Sequence, residues 1–264
     1  PVGQLIPPTT AFIVFSAAGG GASVAALFMA GWIPGLLWAA CCMVVAFFYA
    51  RKQGYVIKRD KLTAKIVGKT IWDAIPSLFL VVIIIGGILS GKFTPTEASG
   101  VAVAYAFILS VFIYRTIKLS EIPKLSEIKD ILVNAAVTTT IVMLIIGASS
   151  VLSFVMSFTG LPAAISKLVL GISSNKYVIL LILNIFLLIV GTFMDMAPAL
   201  LIFTPIFLPI VQSFGMSPIH FGVMMVMNLS VGTITPPVGN VLFVGCSVAK
   251  LRVEQVMKHL IPLF

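Results

Sequence analysis

The chain has 264 residues, 60% of them hydrophobic and only 9% charged, with a mean hydropathy of +1.17. A soluble domain carries roughly 25% charged residues, so composition excludes a soluble globular protein, and the alternating pattern of a membrane β-barrel is absent. The net charge of +9 is no nucleic-acid signal: the basic residues sit in short segments between apolar runs long enough to span as helices, where they read as cytoplasmic anchors.

In chain order, residues 1–8 are irregular, residues 9–29 read as a helix, and Gly31 and Pro34 introduce a second helix running to about Tyr49. Residues 51–69 collect Arg51, Lys52, Lys58, Arg59, Lys61, Lys65 and Lys69, the largest basic cluster, which places this segment in the cytoplasm. Residues 61–75 read as an amphipathic helix in the interface, with Trp72 at headgroup level. Two helices follow, Ser77–Leu89 and Ala98–Tyr114, around a turn in which Thr94 or Thr96 caps the second and Glu97 sits in its first turn. Residues 115–130 are mixed-charge and basic, hence cytoplasmic again. Ile131–Phe158 is a long apolar segment, and 161–172 a short one of smaller residues. Cys41, Cys42 and Cys246 lie inside apolar runs without metal spacing, so they are packing residues and support neither a disulfide framework nor a zinc site. The chain opens without Met and stops within an apolar run, as a piece of a longer protein would.

Two polar breaks interrupt the remaining apolar runs. The first, Gly191–Pro198, holds Asp195, the one carboxylate far from any basic or loop-like stretch. Tyr177–Val190 and Ala197–Val211 flank it, each short for a full crossing, and together they resemble a re-entrant hairpin. The second break, Gly232–Gly239, holds Pro236-Pro237, which cannot continue a helix because proline lacks an N–H and crowds the preceding turn. Pro218–Val231 and Val238–Ala249 flank it as one discontinuous helix. In lipid, backbone freed in this way is tolerated only where it is buried in protein or lines a cavity. Paired breaks therefore point to an ion or substrate site near the midplane of a transporter.

The breaks belong to a repeat. Ile6-Pro7-Pro8 is followed by a helix and Ile33-Pro34; Thr235-Pro236-Pro237 is followed by a helix and Ile261-Pro262. The first copy runs into Ala22–Gly31 without a basic residue, whereas the second runs into Lys250, Arg252, Lys258 and His259. By the positive-inside rule the copies exit on opposite faces, the charge signature of an inverted-topology repeat. Residues 1–50 are then the end of a first repeat, 51–75 a cytoplasmic linker with its interfacial helix, and 76–264 the second repeat.

Ile6–Thr9, Gly91–Ala98, Gly191–Pro209, His220–Asn228 and Gly232–Ala249 together resemble the large membrane subunit of TRAP (tripartite ATP-independent periplasmic) transporters. The resemblance implies an all-α polytopic protein of the bacterial inner membrane: an inverted-repeat, elevator-type transporter with re-entrant hairpins and discontinuous helices. It also implies a sodium-driven importer of organic acid anions. Sialic acid comes first and C4-dicarboxylates next. The partners it implies are a periplasmic substrate-binding protein and a small membrane subunit, separate or fused. No cofactor is implied beyond Na+ as coupling ion. On the family pattern Gly191–Pro198 is the tip of the second hairpin, Gly232–Gly239 the break of the second discontinuous helix, and Ile6–Thr10 the equivalent break of the first repeat.

Sodium prefers oxygen ligands, which unwound carbonyls and the C-terminal ends of half-helices supply. The expected sodium-binding residues are Gly191, Thr192, Asp195, Gly232, Thr233, Thr235, Pro236 and Gly239. The expected substrate-binding residues are Thr9, Thr10, Asp195, Pro237 and Asn240, with a substrate carboxylate received by the amides that open the half-helices after Asp195 and Pro237. An ionised Asp at membrane centre costs about 2.5–3.5 kcal/mol on insertion scales, so Asp195 calls for a partner. Its plain alternative is a helix cap through the amides that follow it; for the proline breaks the alternative is a kink in a packed bundle. Glu97 and His220 read as structural, and Asn134, Asn184 and Asn228 as interhelical hydrogen-bonding residues. Lys167 and Lys176 border the periplasmic side as solvated ends.

Enzyme chemistry is poorly supported. An intramembrane aspartyl protease needs two facing carboxylates, and Asp195 has no mate; a serine hydrolase needs a buried Ser–His pair, and His220 and His259 sit at span ends. The competing functions are an ion channel, which predicts rings of like residues, or a sodium-coupled carboxylate transporter that works without a binding protein.

Overall fold

The computed structural model describes residues 2–19, 21–53, 63–114, 125–160, 164, 171, 175–236 and 239–260. Helices and turns account for these residues, and no strand occurs among them. After a 3-10 turn, Val2–Gln4, come α1 Thr10–Ala18, α2 Val24–Gln53, α3 Ala64–Leu89, α4 Pro95–Ile108 with a π-helical turn Leu109–Ile113, and α5 Leu125–Thr159. They are followed by α6 Lys176–Phe193, α7 Met196–Ser213, α8 Pro218–Gly232, α9 Asn240–Ala249 and α10 Val253–Leu260. Five helices among the described residues are long and apolar enough to cross a membrane: α2, α3, α5, α6 and α7; the last two, expected to be short for a full crossing, run 18 residues each. The protein is an all-α polytopic membrane protein.

The chain divides into two compact units, residues 1–52 with 143–264, and residues 53–142. In the first, α6, α7, α8 and α1 form the core. On α6 a stripe at Ile179, Leu183, Leu187 and Gly191 is buried, the i, i+4 spacing of one helix face. It meets α8, whose buried positions Phe221, Met225, Leu229 and Gly232 fall on one face through steps of four, four and three. The α6–α7 hairpin is held by Phe186, whose ring lies 5.4 Å from Phe203 and 5.5 Å from Phe207, edge to face in both pairs. Small residues let other helices close in. A Cβ on Gly222 would stand 2.5 Å from the Phe15 ring and 2.9 Å from Leu27, so α8 admits α1 and α2 there. On α2, Gly31 and Gly35, one turn apart, admit the Leu5 carbonyl and the Ile6 side chain, where an added Cβ would come to 2.6 and 2.7 Å.

Three helix boundaries differ from expectation. The helix expected over 9–29 is two: α1 stops at Ala18, Gly21 takes a φ of +96° open to glycine, and α2 begins at Val24. Gly31 and Pro34, expected to start a helix, lie inside α2. Likewise the interfacial helix expected over 61–75 is the first half of α3, which runs unbroken through Pro76. The short segment 161–172 lies almost wholly outside the described residues.

In the second unit α3 and α4 pair across the turn Ser90–Glu97. Phe93 folds over Gly87, where a Cβ would stand 2.2 Å from its ring. Thr94 and Glu97 form a reciprocal capping box: the Glu97 N–H donates to the Thr94 hydroxyl, and the Thr94 N–H donates to Glu97 Oε2 at 2.8 Å. That backbone bond first, and the Thr94 hydroxyl second, hold the Glu97 carboxyl below its usual pKa. Around Pro76, where the ladder lacks a donor, the Tyr105 hydroxyl donates to the Pro76 carbonyl at 2.9 Å and the Tyr114 hydroxyl to the Asp73 carbonyl at 2.8 Å.

Candidate ion and substrate site

The hairpin break is short. Helix α6 ends at Phe193, Met194 and Asp195 are extended, and α7 starts at Met196. The break after α8 is longer, with Gly232, Thr233 and Thr235 in tight turns before α9 begins at Asn240. What joins the two is backbone against backbone. A Cβ on Gly232 would stand 2.7 Å from Gly191 Cα and 2.8 Å from its carbonyl carbon, and one on Gly191 would stand 3.2 Å from Gly232 Cα. Glycine at both positions lets the carboxyl ends of α6 and α8 cross in direct contact. One turn earlier, Asn228 on α8 donates to the Asn184 carbonyl at 2.9 Å and to its Oδ1 at 2.8 Å, which sets the register of the two helices. Ser230 is fully buried, and its hydroxyl has no hydrogen-bond partner.

Gly239 closes the arrangement. Its φ of +49° belongs to the left-handed region, and its N–H donates to the Thr192 carbonyl at 3.0 Å. A Cβ there would lie 2.9 Å from the Thr235 carbonyl oxygen and 3.1 Å from that of Thr233, which also accepts from the Val241 N–H at 3.2 Å. The carbonyls of Thr192, Thr233 and Thr235 thus converge on one residue. They stand at helix ends that carry negative partial charge. The hydroxyls of Thr192, Thr233 and Thr235 donate to the carbonyls of Ile189, Ser230 and Val231 at 2.7, 2.8 and 2.8 Å. With their protons turned into the helices, these oxygens retain lone pairs and act as acceptors. Thr192 and Thr233 are buried. The result is a cluster of backbone and hydroxyl oxygens, the donor type a hard cation prefers, in which the Thr192 and Thr233 carbonyls accept from the Gly239 and Val241 N–H groups.

Of the residues expected to bind sodium, Gly191, Thr192, Gly232, Thr233, Thr235 and Gly239 come together. Pro236 is in the same break and exposed. Asp195 is exposed at the hairpin tip, at the N-cap position of α7, where its side chain makes no capping hydrogen bond. The plain capping alternative therefore does not describe it. Pro198 lacks an N–H, and the amides of Met196 and Ala197 open α7 without a side-chain cap. Among the residues expected to bind substrate, Pro237 lies outside the described residues, and Asn240 is described only as the first residue of α9. Thr9 is buried and caps α1 by accepting from the Ala11 N–H at 3.2 Å; Thr10 is exposed as the first residue of that helix. The contacts that place α1 lie further along it, at Phe15 against Phe221 and Gly222 and at Gly19 against Thr204. The Asn184–Asn228 pair is the interhelical bond expected of such residues in apolar runs; their mutual pairing had no signal in the sequence.

Comparison with known proteins adds the following. The family model for the DctM component of tripartite ATP-independent periplasmic transporters matches residues 1–264. The chain is 48% identical over 264 residues to the uncharacterized protein YgiK of Salmonella typhimurium, covering 100% of this chain and 59% of that protein. It is 37% identical over 262 residues to the isethionate TRAP transporter permease protein DctMQ of Oleidesulfovibrio alaskensis, covering 99% of this chain and 40% of that protein. It is 36% identical over 262 residues to the sialic acid TRAP transporter large permease protein SiaM of Vibrio cholerae, covering 99% and 60% respectively. The chain thus spans about three-fifths of the large permease proteins it matches.

Proposed function

The chain belongs to the DctM component family of tripartite ATP-independent periplasmic transporters, and from that premise we propose that it is the sodium-binding part of an importer of organic acid anions. It is a component of a bacterial inner-membrane transporter and not an enzyme. The observation that carries the reading is the contact of Gly191 with Gly232, which draws three threonine carbonyls toward Gly239.

In this reading sodium sits among the carbonyls and threonine oxygens at the ends of α6 and α8, and an organic anion sits at the start of α7. Electrostatics supplies the coupling. The amides of Met196 and Ala197 attract an anion, whereas the Asp195 carboxylate at the same helix start repels it. A cation bound near Thr192, three residues away along the chain, offsets that repulsion, so the anion binds well only after sodium. A difference of one unit charge at a few ångströms, at an effective dielectric near 20, is worth a few kcal/mol, about a hundredfold in affinity. An elevator movement of the hairpin and broken helix together then carries both ligands.

The substrate class is an organic acid anion delivered by a periplasmic binding protein, with a small membrane subunit as partner. Relatives at 36–37% identity carry sialic acid and isethionate in their names, so overall likeness alone does not choose among carboxylates and sulfonates; sialic acid is the first to assay and a C4-dicarboxylate the second. The test is uptake by proteoliposomes containing the full-length membrane subunits, a binding protein and an imposed sodium gradient. Concentrative uptake that needs both sodium and binding protein is the expected outcome. Uptake indifferent to sodium overturns the reading. Sodium-driven uptake without binding protein favours a simple carboxylate symporter, and flux that never exceeds equilibrium favours a channel.

A further inference from the structure

We propose that a second pocket, at the base of the α6–α7 hairpin, binds the phosphate headgroup of an anionic phospholipid. The base is the end of the hairpin opposite Asp195, where α6 begins, α7 ends and α8 begins. A cavity of about 450 Å³ opens there, within the range of small organic ligands. Lys176, Tyr177 and His220 form its polar side, and Leu180, Val211 and Phe214 line its apolar wall. Among the described residues no acidic side chain lines it.

Charge and depth both point to a lipid. Lys176 stands immediately before the apolar run of α6, the position at which a membrane-crossing segment meets the headgroups. Its ammonium lies 5.1 Å from the centre of the Tyr177 ring, and that ring is exposed as aromatic residues of the interfacial belt are. One backbone donor at each helix start is engaged by its cap: Asn175 accepts from the Tyr177 N–H at 2.9 Å and Ser217 from the Ile219 N–H at 3.3 Å. The Lys176 ammonium and a ring N–H of His220 supply the side-chain donors for an anion. A free phosphate would leave the wall of Leu180, Val211 and Phe214 uncovered. A phospholipid fills both parts, with its phosphate at Lys176 and its first methylenes along the apolar wall.

The test is native mass spectrometry of the full-length transporter, delipidated and titrated with phosphatidylglycerol or phosphatidylcholine. One lysine near an anionic surface predicts about a fivefold preference for phosphatidylglycerol. Lys176→Gln with His220→Gln should remove that preference. Leu180→Trp keeps both polar groups but fills the cavity, and should abolish tight retention; it decides the matter if the double variant misfolds. Lys129→Gln, at the start of the apolar window of α5, should retain the wild-type preference. Equal affinity for the two lipids, an unchanged preference in the double variant, or retention undiminished by Leu180→Trp each overturns the proposal. Inorganic phosphate serves as the competing probe: displacement of phosphatidylglycerol by equimolar phosphate would identify a free-anion site instead.

Discussion

Two proline pairs interrupt this chain, and they differ in what the backbone beside them meets. At Pro7-Pro8 the backbone leaves a 3-10 turn and enters α1 through Thr9, whose hydroxyl is engaged as a cap. The nearby Leu5 carbonyl rests in van der Waals contact over Gly31 of α2. Ahead of the second pair the chain leaves α8 at Gly232 against the end of another helix, Gly191 on Gly232, and carbonyls from both sides turn toward Gly239. Proline makes a break in either place. A pocket needs in addition a second helix end brought to backbone distance, and glycine at both partners is what permits that approach.

The largest expected effect is on that crossing. Gly232→Ala drives a methyl into the Gly191 backbone, which cannot move aside as a side chain can; overpacking of this kind costs about 1–3 kcal/mol. Sodium-dependent uptake should fall below detection, with a lowered melting temperature in detergent. Gly222→Ala, which meets only the Phe15 ring and Leu27, should keep sodium affinity within a few-fold; equal losses in the two variants would erase the distinction between the breaks. Next, Pro236→Ala with Pro237→Ala should extend α8 and stop transport in reconstituted vesicles, and normal transport would reduce the break to a kink. Asp195→Asn removes the repulsion at the start of α7, so substrate binding should lose its dependence on sodium while membrane insertion is unchanged; sodium-dependent binding at the wild-type level counts against the coupling argument. Thr9→Ala should cost about 1 kcal/mol as a lost cap, visible in thermal melts, with sodium affinity unchanged. A large sodium effect there would put the first break on a par with the second.

The smallest effect lies in the α3–α4 turn and serves as a control. The Glu97 carboxyl has its folded pKa depressed by Thr94, so its contribution to the cap is complete above the unfolded value near 4.5 and is lost as pH falls through the folded value. Amide exchange at the start of α4 should accelerate over that acid range, and Glu97→Gln should flatten the dependence without altering transport at neutral pH.

Much of this was legible because membrane backbone has few ways to be irregular. Pro236-Pro237, Gly232 and Gly239 announce a break, and the run around Asp195 announces a hairpin tip. Asn184 and Asn228 stand out as polar residues in apolar runs. Their pairing, and the crossing of Gly191 over Gly232, join residues far apart in the chain, and periodicity carries no record of such contacts. The boundaries of α2 and α3 were misjudged for a different reason. Pro34 is expected to introduce a helix and the interfacial helix to end at residue 75, yet a bilayer helix can continue through proline; around Pro76 the Tyr105 and Tyr114 hydroxyls add bonds to the carbonyls of Pro76 and Asp73. Lys176 is expected as a solvated end and His220 as structural; the two are distant in sequence, and only the fold sets them around one cavity.

The contact of Gly191 with Gly232 has a mechanical side. Helices usually meet through side chains that flex and change rotamer, so a small shift in one is absorbed before it reaches the other. Here the Cα atoms themselves bear on each other, with the Asn184–Asn228 amides acting as a pin one turn back on α8 and two turns back on α6. Such a joint has almost no slack. A displacement of a few tenths of an ångström at one helix end is handed to the other undiminished, so the hairpin tip and the end of α8 move as one stiff body.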